Sequence, residues 1–356
     1  MPANINSFVK ATGTEDPWWG IGKSIDANAS IEEWMKACDL DYQVVRKQVW
    51  MKQGEKELPL KDYVAIVKST DGTVFQIASP KYKPIQVKEA LAIMKHYAKT
   101  NHVTLDTMGS LGENGAIIWG LAKLNFEFEL PGGDKIEAYL LLASSHDGSI
   151  KWTGIITFIR VVCKNTLSLA LSEGKKGGKN LFSVKHTKNL DIEAVIKKGK
   201  EDIDLMIATA EKAKQEIEAM AKTKVSQLDM QILTAKLTNN KELLELIAEN
   251  RKEQNASLLD QIVSKSNRSS LSISAIESEQ SRVGKAILDD IMNSPGADME
   301  SAKNTVWGWL NGVTYYTDNQ SGSDDNRMKS AWFGPNADLK DKAYELALEY
   351  VKASAA

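Results

Sequence analysis

Residues 117–171, IIWGLAKLNFEFELPGGDKIEAYLLLASSHDGSIKWTGIITFIRVVCKNTLSLAL, decide how this chain is read. Three apolar or alternating runs of strand length are separated by Pro131-Gly132-Gly133 and by His146-Asp147-Gly148-Ser149. Sequential strands joined by such short, turn-forming breaks read as an antiparallel β-meander. The run KNTLSLALSEG that follows reads as a helix ending at Gly174. The same block holds His146, Asp147, Arg160, Cys163 and Asn165, so a catalytic constellation has to be weighed against a core sheet.

The sheet reading takes most of these residues. Cys163 ends the apolar run FIRVVC, where a cysteine is a small buried hydrophobe before it is a nucleophile. His146-Asp147-Gly148 fits a tight turn in which the aspartate caps the backbone and the glycine takes positive φ. No second histidine or carboxylate cluster stands at ligand spacing, so no metal site is expected, and no cofactor. GSLGENG (109–115) and GKKGGK (174–179) lack the Gly-Lys-Ser/Thr ending of a phosphate loop. No catalytic residue is assigned; an enzyme built on Cys163 and His146 ranks third.

Outward from the block, an α+β chain is expected. SIEEWMKACDL reads as a helix capped by Ser30 and Glu33. YQVVRKQVWM and YVAIVKSTDGTVFQIAS read as strands, the second broken by the hairpin signal Asp71-Gly72. From Ile192 to Met220 apolar residues alternate steps of four and three over about four heptads, a coiled-coil seam. With a second helix near 240–263 it predicts a long helical hairpin, or an oligomerisation element. Residues 264–281 are polar and serine-rich. The tail carries Trp307, Trp309, Tyr315, Tyr316, Trp332 and Phe333, and is expected to pack back on the body. The fold expected is a central antiparallel β-meander with flanking helices and a long helical hairpin, in three segments: 1–188, an α+β core with the antiparallel sheet; 189–265, the long helical hairpin; and 266–356, the serine-rich loop and the aromatic, helical C-terminal segment packing on the core.

Bulk properties restrict the function. The chain has 356 residues, a formal net charge of −2 and two cysteines, too few for a disulfide framework. No apolar run approaches the roughly 18 residues of a membrane span, and MPANINSFVKATG has no secretory h-region, so a cytoplasmic protein is expected. Charge is uneven: residues 174–188 hold Lys175, Lys176, Lys179, Lys185 and Lys188 and no carboxylate. Arg160 and Lys164 lie just upstream. Cations among glycines suit phosphate contacts without base readout, with Trp152 or Phe182 as stacking partners. PWWG (17–20) reads as an arm that docks on its own domain or on a neighbouring subunit.

PWWGIGKSI, YKPIQVKEAL, LLLASSHDGS, RVVCKNTLSLAL, KHT and DNRMKSAWFG together resemble the signature blocks of an uncharacterised phage/plasmid-like family of unknown function. At the level of fold the plan is similar to the phage single-strand annealing proteins of the RecT, Red-beta and ERF type. That resemblance implies a β-meander beside helices, a basic groove for DNA, homo-oligomeric rings or filaments, and life in the host cytoplasm. The expectation is a non-enzymatic protein that binds single-stranded DNA, in annealing or recombination. The alternative is a structural or interaction protein acting on a host protein through its helices.

Overall fold

The computed structural model describes residues 5–12, 23–112, 114–163, 165–168, 181–255, 273–323 and 326–355. Its strands are β1 (Ile5–Ala11), β2 (Lys23–Ile25), β3 (Val44–Gln53), β4 (Lys56–Lys68), β5 (Val74–Ala78), β6 (Val103–Leu111), β7 (Ile117–Leu130), β8 (Asp134–Ser145), β9 (Trp152–Arg160), β10 (Asn165–Ser168) and β11 (Phe182–Val184). The main sheet has the order β10-β9-β8-β7-β6-β1-β2, with β11 also pairing β9. From β6 to β10 every pairing is antiparallel; β1 and β2 are parallel. A smaller antiparallel sheet has the order β3-β4-β5.

The meander is therefore present and extends by one strand on each side. Its runs are continuously apolar because both faces are covered. Ile118 and Ala122 point to one core, Trp119 and Leu121 to the other, as the two-residue period of a strand requires. One expected element is corrected. Asn165–Ser168, read as the start of a helix, is a strand paired antiparallel to Thr157–Arg160, so the chain turns back along β9. Residues 169–174 of that reading lie outside the described residues.

The helices are α1 (Ile31–Ala37), α2 (Val87–Ala90), α3 (Ala92–Lys99), α4 (Ile192–Glu201), α5 (Ile203–Lys222), α6 (Gln227–Leu237), α7 (Lys241–Asn255), α8 (Ile273–Ser278), α9 (Arg282–Asn293), α10 (Val306–Tyr315), α11 (Arg327–Phe333) and α12 (Pro335–Ala355). Ser30 caps α1: its Oγ accepts from Glu33 N at 3.3 Å while Glu33 Oε2 accepts from Ser30 N at 2.8 Å. The heptad seam divides at Asp202 into α4 and α5. Met206, Ala210, Ala213, Ile217 and Met220 bury against the sheet and against α10 and α12, in one core with Ile118, Leu140 and Trp152. An apolar helical stripe satisfies a sheet as well as it does a second helix.

The C-terminal aromatics join both cores. Trp309 is fully buried on the helical side, its indole donating to Thr234 Oγ1 at 3.0 Å. Trp332 of α11 stands edge-on to Trp119 at 5.3 Å on the opposite face. Residues from Val9 to Ala347 share the first core, so all three sequence segments contribute to it. Among the described residues no helix is long and apolar enough to cross a membrane.

Candidate nucleic-acid interface

The turn between β8 and β9 forms as its sequence dictates. Asp147 Oδ1 accepts from Ser149 N at 2.9 Å, and Gly148 takes φ +71°. The smaller sheet is tied to the main one at this turn. The His146 carbonyl accepts from Gln76 Nε2 at 2.8 Å, and the Tyr82 hydroxyl reaches the Ser145 carbonyl at 3.2 Å. The Tyr82 ring lies parallel on His186, centroids 5.4 Å apart, with its hydroxyl 3.2 Å from His186 Nδ1. Ser144 Oγ is 3.4 Å from His186 Nε2. The His146 ring is fully buried between Tyr42 and Phe75, and neither of its nitrogens has a partner. KHT and SSHDG, far apart in sequence, thus meet at one end of the main sheet.

Burial depresses His146 to about 3 and His186 to about 4, so both rings are neutral in the folded chain at neutral pH. An unfolded chain titrates them near 6.5. Below that pH the unfolded state binds more protons, so each ring withdraws stability as the pH falls. The buried carboxyls Asp106 and Asp290, each raised to about 7 by burial, act in the opposite direction. They hold a proton that the unfolded chain releases near 4, and their contribution is lost as pH rises through 7. A substitution isolates one histidine. His146→Phe removes no hydrogen bond, and relative to wild type it should gain about 2 kcal/mol between about pH 7 and pH 5. Urea unfolding at both values checks this; a difference from wild type independent of pH would refute it.

This end of the sheet carries exposed cations. Lys185 and Lys188 flank His186 and project into solvent, as do Lys81 and Lys151. Lys83 is held back, its Nζ donating to the Leu190 carbonyl at 2.7 Å. Arg46 of β3 is exposed and reaches the Pro80 carbonyl at 3.5 Å, two residues from Tyr82. Lys185 and Lys188 lie on the segment of His186, Lys81 precedes its partner Tyr82, Lys151 precedes β9, and Arg46 reaches Pro80, with Asp147 as the acidic residue of the same turn. Lys81, Lys151 and Arg46 were not selected by the sequence reading.

Arg160 does not join them. It is 2 % exposed, and its Nε donates to both oxygens of Asp134 at 2.8 and 2.9 Å. Its remaining nitrogens reach the Gly296 carbonyl at 2.9 Å and the Pro295 carbonyl at 3.5 Å. A guanidinium so enclosed holds the sheet to the 295–301 loop and has no donor facing solvent for a phosphate. Lys164, Lys175, Lys176 and Lys179 lie outside the described residues, as does PWWG. Trp152 is fully buried with its indole donating to the Ala90 carbonyl at 3.2 Å, so it offers no face to a base. Phe182 is half-buried and packs edge-on against it at 5.1 Å. Cys163 is buried beside Arg160.

Among the described residues no group of three or more His, Cys, Asp or Glu side chains is arranged to hold a metal ion. A cleft of about 340 Å³ lies along β6 and β7, lined by Asp106, Lys123 and Glu127 among others. There Lys123 and Lys135 each pair with Glu127 and Glu137, so its charges are mutually engaged.

Most of this architecture is shared with a known family. A family model described as a domain of unknown function, DUF932, matches residues 74–332, from β5 to α11. The histidine–tyrosine junction lies inside the match; β3 and β4 precede it. Neither a curated protein nor a solved structure matches the chain.

Proposed function

The chain belongs to the DUF932 family, and from the geometry of the sheet end we propose that it binds single-stranded DNA without catalysing a reaction, as an annealing or recombination protein of a phage or plasmid. One observation supports this reading above the rest. Lys185, Lys188, Lys81, Lys151 and Arg46 are all exposed at one rigid end of the main sheet, in a chain whose formal net charge is −2. Local concentration of cations against an overall negative charge is what a phosphate-tracking surface requires. The mount is stiff, because Tyr82, Gln76 and His186 fasten it to the β8–β9 turn.

The test is anisotropy of a labelled oligothymidylate titrated with the intact chain at several salt concentrations. Affinity should fall steeply with salt. Reversal of both lysines, Lys185→Glu with Lys188→Glu, should lower it and reduce the salt slope by about 1.4, at roughly 0.7 for each phosphate no longer neutralised. Native mass measured with and without the oligonucleotide reports the stoichiometry and the expected homo-oligomer. A folded chain that binds no oligonucleotide at about 50 mM salt would overturn the proposal and favour an interaction protein working through its helices.

A further inference from the structure

The β3–β4 hairpin is longer than its support. β5 pairs only with Val64–Val67 of β4, so beyond that register the hairpin continues as a bare two-stranded ribbon to its turn at Gly54. Both strands of this arm are solvent-exposed almost throughout. It begins at an irregularity where Leu60–Tyr63 stand opposite Val49, closed by Gln48 Nε2 donating to the Val49 and Leu60 carbonyls at 2.9 Å. Trp50 and Tyr63 flank that bulge and are 56 % and 51 % exposed; Met51 and Leu58 follow toward the tip.

Such a ribbon needs an explanation. A lone two-stranded hairpin is marginal in water, yet this one holds Trp50, Met51, Leu58 and Tyr63 out in solvent. The arm's charge says which kind. Between Val44 and Lys68 stand Arg46, Lys47, Lys52, Lys56, Lys61 and Lys68 against Glu55, Glu57 and Asp62. The chain as a whole is net negative, so the arm concentrates positive charge. A protein edge seeking another strand would avoid Pro59, which supplies no donor to a neighbour, and the lysines that repel a second copy. Aromatic rings interleaved with cations are instead the composition that single-stranded nucleic acid requires: a π-face for each base and a cation for each phosphate.

We propose that the ribbon arm is the base-stacking element of this protein, with Trp50 and Tyr63 as its platforms and Arg46, Lys47, Lys52, Lys56 and Lys61 following the phosphates of a single strand. This rests on the DNA-binding reading above and extends it. Arg46 joins the two surfaces: it is the first cation of the arm, and through Pro80 it adjoins Tyr82 and His186. The strand would run from Lys188 and Lys185 past Lys81 onto the arm. The arm precedes the residues matched by the family model.

The experiment compares the wild-type chain, Trp50→Ala combined with Tyr63→Ala, Trp50→Phe, and the Lys185→Glu/Lys188→Glu pair in the same oligothymidylate titration, with thermal unfolding of each. Both arm positions are exposed, so the alanine variant should unfold at the wild-type temperature. Its affinity should drop between about fivefold and a hundredfold per ring removed with the salt slope unchanged, whereas the lysine pair changes the slope. Trp50→Phe should keep most of the affinity. If wild type and the lysine pair behave as described but the alanine variant binds like wild type, the arm is not a stacking element while the DNA-binding reading stands. If wild type binds no oligonucleotide, both fall together. An alanine variant that binds DNA normally but loses a homo-oligomer assigns the arm to self-association and overturns the inference.

Discussion

Asp134→Ala should cost this protein about 3–5 kcal/mol of stability, the largest loss expected of any single truncation described above. Asp134 is completely buried at the start of β8. Its carboxylate receives Arg160 Nε at 2.8 and 2.9 Å, Ser301 Oγ at 2.6 Å and Trp307 Nε1 at 3.1 Å. Donors from β9, the 299–305 turn and α10 thus converge on one side chain. Removing it leaves a guanidinium enclosed with no counter-charge, and an indole and a hydroxyl without their acceptor. Asp134→Asn, which keeps the shape and loses the charge, should fall between wild type and alanine. Replacing both partners, Asp134→Leu with Arg160→Met, should recover part of the loss, because no buried charge is then orphaned. Urea unfolding monitored by tryptophan fluorescence measures the series. A loss below about 1 kcal/mol for Asp134→Ala, the level of an exposed pair, would mean that water reaches the site.

Gly308→Ala should be destabilising even though it places a better helix former in the first turn of α10. In a helix interior alanine would gain about 1 kcal/mol over glycine by propensity, and part of that applies here. The position forbids it: a Cβ on Gly308 would stand 1.9 Å from the Ala302 carbonyl oxygen and 2.8 Å from its carbon, both backbone atoms. Neither can move without shifting the 299–305 turn that carries Ser301 to Asp134. Overpacking of this kind costs about 1–3 kcal/mol after relaxation, and here backbone must yield, so a net loss of about 2 kcal/mol or more is expected. Gly312, one turn on, meets Ile291 Cγ1 at 2.3 Å and Ile291 N at 2.8 Å. Part of that obstacle is a side chain, so Gly312→Ala should be the milder change. Equal or stabilising effects at both sites in urea unfolding would contradict this packing of α10.

Legibility in the sequence followed the physics of each element. The meander announced itself because its strands are apolar and its breaks are Pro-Gly-Gly and His-Asp-Gly-Ser. The capping box at Ser30 and the turn at Asp71-Gly72 are local and were equally plain. The seam from Ile192 to Met220 was real, but an apolar stripe carries no record of what covers it, and the sheet shares that place with α10 and α12. Asn165–Ser168 is too short to show a period, and only its pairing with β9 makes it a strand. Arg160 was the informative miss: an arginine inside an apolar strand signals a buried carboxylate, and Asp134 in the PGGDK turn was available. The arm escaped notice because lysines and apolar residues occur on both its faces, so no buried side imposes an alternation. The turn at Gly54 was the signal that could have found it.

The convergence on Asp134 also sets an order of events in the life of the chain. Its partners Ser301 and Trp307 are separated from it by 167 and 173 residues. When β8 and β9 leave the ribosome, the helices that close the sheet have yet to be made. At about 5–20 residues per second, the Asp134 carboxylate waits on the order of ten seconds or more for Ser301 and Trp307. Until the 299–305 turn and α10 are made, Arg160 is the one described donor that the chain has supplied to Asp134, so this buried junction is completed late in synthesis.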